Sequence, residues 1–97
     1  MKNKTNYSIP RPYTKLGEYL QKGREKAGLT QKQVADTLEY STAQFISNFE
    51  RGIAVPPLSK LRTIIEMYSL SPERVMNMIL ELEKQRMTSI LTGKRSA

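Results

Sequence analysis

The chain has 97 residues and a formal net charge of +7, with 16 Lys or Arg against nine Asp or Glu. This length suits one domain with a single modest core. The sequence contains no Cys and no His, which excludes disulfides and the zinc sites built from thiolate and imidazole ligands. No apolar run approaches the ~20 residues that span a bilayer. The basic N-terminus has no apolar segment of the kind that a secretory signal contains.

The basic charge is concentrated near the N-terminal end. Residues 1–26 contain seven Lys or Arg and two Glu, whereas residues 27–60 are neutral and residues 61–97 carry a net charge of +2. A basic chain favours a polyanionic partner, because each neutralised phosphate releases counterions. A charged surface that serves only solubility is the alternative. The absence of Cys fits a reducing compartment, and we expect a cytoplasmic protein.

Residues 1–13 predict a flexible basic arm, because Pro10 and Pro12 prevent a regular helix and small polar residues are frequent. The cations of this arm can follow phosphates or enter a minor groove. A tail without a role is the other interpretation. The domain proper is expected over residues 14–79, followed by a C-terminal helical extension and a short basic tail over residues 80–97.

A first helix is predicted from Thr14 or Lys15 to Lys26. Gly23 lies inside it, where Gly costs up to ~1 kcal/mol relative to Ala. Either a bulky aromatic neighbour needs the space, or the helix is locally weak. The aromatic candidates are Phe45, Phe49 and Tyr68.

Residues 29–52 predict two short helices joined by a tight turn. Thr30 can cap the second helix of the chain, which is expected over residues 31–38, because its hydroxyl can accept from an otherwise unpaired backbone N–H. Glu39 and Tyr40 form the turn, and a Ser or Thr directly after it can cap the next helix. The candidates for that second cap are Ser41 and Thr42.

The third helix is expected to end before Gly52, which suits a left-handed position after a helix. Ile46 and Phe49 are three residues apart and therefore share an inward face. Small polar side chains remain on the other side or near the N-terminal end. They are Thr42, Ala43, Gln44, Ser47 and Asn48. This layout predicts a helix-turn-helix, in which the second helix of the motif enters the major groove of DNA.

The segment LTQKQVADTLEYSTAQFISNFERG resembles the Cro/CI-type (XRE, lambda-repressor-like) helix-turn-helix family. The preceding LGEYLQKGREKAG resembles the first helix of that family, and LSKLRTIIEMYSLSPERVM resembles its fourth and fifth. The resemblance extends from Leu16 to Ile79. It implies an all-α fold: a compact five-helix lambda-repressor-like domain with a helix-turn-helix over residues 30–52, a flexible N-terminal arm and an extended C-terminal helix. Glu39 stands where many members of the family have Gly.

The resemblance also implies roles for individual residues. Gln31 matches a position that contacts the DNA backbone. Arg24 matches a position that forms a structural ion pair with Glu50, and a phosphate contact is the alternative for Arg24. The further predicted phosphate contacts are Lys15, Lys22, Arg51 and Lys60. The residues that match base-contacting positions are Thr42, Ala43, Gln44, Ser47 and Asn48. Because no Lys or Arg lies between residues 43 and 50, we expect half-sites that are read mainly at A·T pairs.

The residues after Gly52 form an apolar loop with two prolines and lead into a fourth helix over about residues 58–68. Ile53 and Val55 either form a dimer contact or lie under the fourth helix. The inward stripe expected for this helix consists of Leu58, Leu61, Ile64, Ile65 and Tyr68.

Ser71, Pro72 and Glu73 predict the start of a fifth helix, with a cap, a proline at the first position and an acid in the first turn. No Pro or Gly interrupts this helix before Gly93, so it can continue to about Leu91. Its apolar far end predicts a dimer arm, and folding back onto its own domain is the alternative. The predicted dimer-interface residues are Ile53, Val55, Leu80, Met87, Ile90 and Leu91.

Together these patterns predict a sequence-specific double-stranded DNA-binding transcriptional regulator of prokaryotic or phage origin. We expect a repressor that binds an inverted-repeat operator as a homodimer. The alternative is an antitoxin-like protein, which binds a partner protein through its C-terminal helix and autoregulates its operon. Neither an enzyme nor a metal or cofactor site is expected, because there is no His or Cys and no paired carboxylates lie in an evident pocket.

Overall fold

The computed structural model describes residues 12–93. Five helices follow one another in this range: α1 (Thr14–Lys26), α2 (Gln31–Thr37), α3 (Gln44–Glu50), α4 (Leu58–Tyr68) and α5 (Pro72–Thr92). Residues 12–93 contain no strand, so the all-α prediction is confirmed. The arm predicted for residues 1–13 lies, apart from its last two residues, outside the described part of the chain.

One apolar core joins α1 to α4 with the beginning of α5. Its largest fully buried side chains are Leu16, Leu20, Val34, Leu38, Ile46, Ile64 and Val75. Helix α1 approaches α3 very closely at Gly17, where a Cβ atom would overlap the carbonyl oxygens of Phe49 and Glu50. A residue without a side chain at this position therefore sets the distance between the two helices.

Two of the predicted helix starts are confirmed by side-chain caps. Thr30 Oγ1 accepts a hydrogen bond from the Gln33 N–H at 3.0 Å, and Gln33 Oε1 accepts from the Thr30 N–H at 2.8 Å. This capping box satisfies two backbone donors that the first turn of α2 leaves unpaired. At α5, Ser71 Oγ accepts from the Arg74 N–H at 3.2 Å, and Pro72 occupies the first helical position.

The turn between α2 and α3 depends on a left-handed residue that is not glycine. Glu39 has φ = 64°, a conformation that Gly adopts without the steric cost of a Cβ atom. Neither of the two candidate caps is the N-cap of α3, which is Ala43 without a side-chain cap bond. Thr42 Oγ1 instead accepts from the Gln44 N–H at 3.0 Å, within the turn. The left-handed Glu39 and the Thr42–Gln44 hydrogen bond both lie in the segment that joins α2 to α3.

The inward stripe predicted for α4 is wrong at its first member. Leu58 is 79% exposed, whereas Leu61 and Ile64 are buried. Leu58 is the first residue of α4 and directly follows Pro57. The contact of α4 with the core begins only at Leu61, one turn later. Periodicity along a helix cannot show where the neighbouring helices stop.

The unusual Gly23 in α1 makes room for the chain around the end of α4. A Cβ atom at this position would lie 3.0 Å from Leu70 Cδ2 and 3.2 Å from Tyr68 Cδ2. Of the three aromatic candidates, Tyr68 is therefore the one that needs the space. Leu70 is a second neighbour that sequence reasoning missed.

Helix α5 is held to the domain along its first half and at its middle. Val75 is buried in the core. Farther along, the Tyr13 hydroxyl donates to Glu83 Oε2 at 2.6 Å, while the Tyr13 N–H donates to the Gly52 carbonyl at 3.0 Å. The hydrogen bond to Glu83 raises the pKa of the Tyr13 hydroxyl. One residue before α1 thus connects the end of the helix-turn-helix to α5.

Candidate nucleic-acid interface

Helix α3 has one face in the core and one in solvent. Ile46, Phe49 and Glu50 are buried, as the spacing of the two apolar residues predicts. The opposite face carries Gln44 and Asn48, one turn apart. All five predicted base-contacting residues lie on this outer side or at the N-terminal end of α3, where Thr42 and Gln44 are exposed while Ala43, Ser47 and Asn48 are half-buried.

The inner side of α3 is fixed by a bidentate ion pair. Arg24 Nε donates to Glu50 Oε2 at 2.5 Å, and Arg24 Nη2 donates to Glu50 Oε1 at 3.2 Å. The two side chains are only 12% and 5% exposed. Arg24 Nη1 also donates to the Leu29 carbonyl at 2.8 Å. The hydrogen bond to Glu50 raises the pKa of the Arg24 guanidinium, which stays charged and connects α1 to α3.

The same carboxylate holds the first residue of α2. Gln31 Nε2 donates to Glu50 Oε1 at 2.8 Å, so Glu50 accepts from residues of both α1 and α2. Sequence reasoning missed this contact, because Gln31 and Glu50 are 19 positions apart and no local spacing relates them. The contact of Gln31 with the DNA backbone stays a prediction. In the structure, the side-chain amide of Gln31 is oriented by its hydrogen bond to Glu50.

The outer side of α3 contains a second hydrogen-bonded cluster, formed by Gln44, Asn48 and Arg51. Gln44 Nε2 and Arg51 Nη2 both donate to Asn48 Oδ1, each at 2.9 Å. The i, i+4 and i, i+3 spacings of these residues were a signal that sequence reasoning did not use. Arg51 therefore lies along the same face as the predicted base-contacting residues, although it follows the last residue of α3.

The cations predicted to contact phosphate are differently placed. Lys15 and Lys22 are exposed on α1. Lys60 is half-buried; its Nζ donates to the Leu38 carbonyl at 2.7 Å and lies 5.5 Å from the centre of the Tyr40 ring. Lys60 thus pairs with a carbonyl at the end of α2, and its phosphate contact stays a prediction without support from this placement.

Aromatic rings border the outer face near the start of α3. Phe45 is 44% exposed, and its ring stacks on that of Tyr40 with centroids 4.4 Å apart and an interplanar angle of 13°. Burial raises the pKa of the Tyr40 hydroxyl. The pair closes the turn against α3 and leaves one apolar edge in solvent beside the polar side chains.

The predicted dimer residues lie in the loop after α3 and along α5. Val55 is half-buried and packs against the core, and Ile53 is also half-buried. Leu80 is 60% exposed and lies in an apolar groove between α4 and α5, which Leu58 and Met76 also line. Three further large apolar side chains are exposed on the second half of α5. They are Met87, Ile90 and Leu91.

Comparison with known proteins identifies the family of this chain. A family model described as a helix-turn-helix domain matches residues 15–77. The chain belongs to the Cro/CI-type (XRE) helix-turn-helix family. This is a family of DNA-binding transcriptional regulators.

A curated relative supports the same assignment. The chain is 32% identical over 76 residues to the HTH-type transcriptional regulator ImmR of Bacillus subtilis (strain 168). The aligned region covers 78% of this chain but only 58% of that relative. The likeness therefore concerns somewhat more than half of the relative's length.

Among residues 12–93, no group of three or more His, Cys, Asp or Glu is placed to hold a metal ion. In the same range, no helix combines the length and the apolar character needed to cross a membrane.

Proposed function

We propose that the protein is a transcriptional repressor that binds an inverted-repeat operator as a homodimer, with α3 in the major groove. The observation that carries this proposal is the outer face of α3. Gln44, Ser47 and Asn48 present amide and hydroxyl groups there, and such groups can read base edges. We place this activity in the cytoplasm of a prokaryotic cell, where the DNA is accessible.

The charge distribution supports a division between attraction to DNA and reading of its sequence. Lys15 and Lys22 are exposed on α1, whereas the segment from α2 to α3 has no excess of positive charge. Phosphate contacts position a protein on DNA, and base contacts specify the site. We assign positioning to α1, the N-terminus of α2 and the predicted arm, and sequence recognition to α3.

The exposed apolar surface of α4 and α5 supports pairing with a second copy. Leu58, Met76 and Leu80 line a groove that is open to solvent. The apolar far end of α5, residues 87–91, offers side chains of matching chemistry. In a two-fold contact each copy can supply one such end and receive the other. A dimer that binds an inverted repeat needs its two recognition helices on one face of the duplex, ~34 Å apart.

The test of DNA recognition is selection of binding sites from random duplex DNA, followed by affinity measurements over a salt series. Gln44→Ala is expected to cost ~1–3 kcal/mol at one base pair and to relax sequence choice there. Lys22→Ala is expected to weaken binding to all sequences and to lower the salt slope by about 1. Lys84→Ala on the distant part of α5 is the matched charge control. If no sequence is enriched, the proposal is contradicted.

The test of pairing is the solution mass of the protein with and without a charge in the groove. Leu80→Lys is expected to yield monomers, because a buried unpaired ammonium opposes association. Asn77→Lys introduces the same charge at another exposed position of α5, outside the residues that line the groove, and is expected to leave the dimer intact. A wild-type protein that stays monomeric at micromolar concentration on its operator would contradict the homodimer.

The antitoxin-like function is the second candidate, and the same exposed surface favours it. A partner protein can cover the end of α5 instead of a second copy. Co-purification of a small protein in fixed stoichiometry, lost on Leu91→Lys but retained on Asn77→Lys, would favour this candidate over the homodimer.

A further inference from the structure

Arg51 determines which side-chain atoms donate and which accept in the hydrogen-bonded cluster on the outer face of α3. A guanidinium has five N–H donors and no acceptor. The atom of the Asn48 amide that faces Arg51 must therefore be the oxygen, in agreement with the 2.9 Å contact between Arg51 Nη2 and Asn48 Oδ1. The opposite orientation would place two donors against each other.

The orientation of Asn48 then determines that of Gln44. Because Asn48 Oδ1 faces Gln44, the group of Gln44 at 2.9 Å must be its NH2. Asn48 Oδ1 has two lone pairs, and both are engaged by these two donors. The Asn48 NH2 group, the Gln44 carbonyl oxygen and the second N–H of the Gln44 NH2 group remain for a ligand.

We propose that Arg51 is a positioning residue that sets the donor and acceptor pattern of the recognition face. Asn48 then acts as a donor only, whereas Gln44 offers its carbonyl oxygen as an acceptor beside its second N–H. This proposal rests on the proposed function, because it assumes that the outer face of α3 reads DNA in the major groove.

The consequence is a base preference at the pair that Asn48 faces. An unrestrained Asn binds adenine with both groups, accepting from N6 and donating to N7. Asn48 lacks the acceptor, so the N6 donor of adenine meets no partner. Guanine offers acceptors at both N7 and O6, which suit a donor. Guanine is therefore preferred over adenine at this pair, which departs from the expectation that half-sites are read mainly at A·T pairs.

The experiment measures the affinity of the full chain for four selected duplexes that differ only at this base pair. The pair is identified as the one at which Asn48→Ala abolishes discrimination. The wild type is expected to prefer guanine over adenine by roughly fivefold or more, since a good base contact contributes about 1–3 kcal/mol. Arg51→Lys keeps a donor-only neighbour and is expected to keep the preference.

Arg51→Gln supplies a neutral side chain that can accept as well as donate, so the Asn48 amide can adopt either of its two orientations. The guanine preference is expected to fall to roughly twofold or less. Lys22→Gln, which removes one charge from α1 and does not contact the cluster, is expected to weaken all four duplexes equally. Thermal unfolding of each variant checks that it is folded.

An equal loss of affinity for all four duplexes on Arg51→Gln would show that Arg51 only contacts phosphate, and would overturn the proposal. A wild-type preference for adenine at this pair would overturn it as well. Either result leaves the proposed function intact, because the protein still selects a sequence. A wild type with no preference at any base pair would overturn the proposed function together with the present inference.

Discussion

The two sides of α3 each contain an arginine that is hydrogen-bonded to a side-chain oxygen, but the two contacts are in opposite environments. Arg24 and Glu50 are almost fully buried and connect three helices. Arg51 is exposed and orients side chains within one face. Removing one partner of a buried ion pair leaves the other charge buried without a partner, which is strongly destabilising. An exposed side chain that loses its partner is solvated by water instead, so the loss is small. The inner side therefore determines stability, and the outer side is free to determine sequence recognition.

The largest effect is expected where α1 meets the inner side of α3. Gly17→Ala places a methyl group against the carbonyl oxygens of Phe49 and Glu50, and a backbone contact cannot be relieved by a rotamer change. We expect a loss of roughly 4 kcal/mol in the free energy of unfolding, measured by urea denaturation.

The control for Gly17→Ala is Gly23→Ala in the same helix. The added Cβ at residue 23 meets side-chain atoms of Leu70 and Tyr68 at 3.0 Å or more, and side chains can move. The loss should be smaller by at least about 2 kcal/mol. Equal losses at the two positions would mean that α3 is not held against α1 by its backbone.

The second effect concerns the buried carboxylate itself. Glu50→Gln removes the charge that pairs with Arg24 and is expected to destabilise the fold by about 3 kcal/mol. In a double-mutant cycle with Arg24→Met, the two losses should not add, because the second change removes the orphaned charge. Additive losses would show that the pair contributes no coupling, and the inner side of α3 would then resemble the outer one.

The third effect concerns the turn between α2 and α3. Glu39→Gly relieves a left-handed conformation at φ = 64°, and we expect a net gain of about 0.5–1 kcal/mol in the free energy of unfolding. Glu18→Gly, at an exposed position inside α1, should lose about 1 kcal/mol instead. A loss at both positions would mean that the turn does not adopt this conformation.

The smallest effect on stability is expected on the outer side. Asn48→Ala and Gln44→Ala should change the free energy of unfolding by less than about 0.5 kcal/mol, because their hydrogen bonds lie in solvent. A loss comparable to that of Glu50→Gln would remove the distinction between the two sides of α3.

Local patterns predicted most of the architecture. The caps at Thr30 and Ser71 and the spacing of Ile46 and Phe49 are short-range signals, and each was confirmed. The resemblance to the Cro/CI-type family predicted the order of the five helices. The match to the helix-turn-helix family model confirmed the family.

Features that depend on distant neighbours could not be read from the sequence. Leu58 fits the periodicity of α4 but lies beyond the core, and Lys60 reaches the end of α2 across 22 positions. The contact of Gln31 with Glu50 is of the same kind. The cluster at Asn48 differs, since its residues are three and four positions apart and were within reach of sequence reasoning.

The most direct measurement compares the affinity for a selected operator with that for unrelated duplex DNA, at fixed salt, for the wild type, Gln44→Ala and Asn48→Ala. The ratio of the two affinities should fall by roughly five- to a hundredfold in each variant, while the thermal midpoint and the affinity for unrelated DNA stay unchanged. An unchanged ratio, or an equal loss of affinity for both DNAs, would contradict the claim that the outer face of α3 reads the sequence.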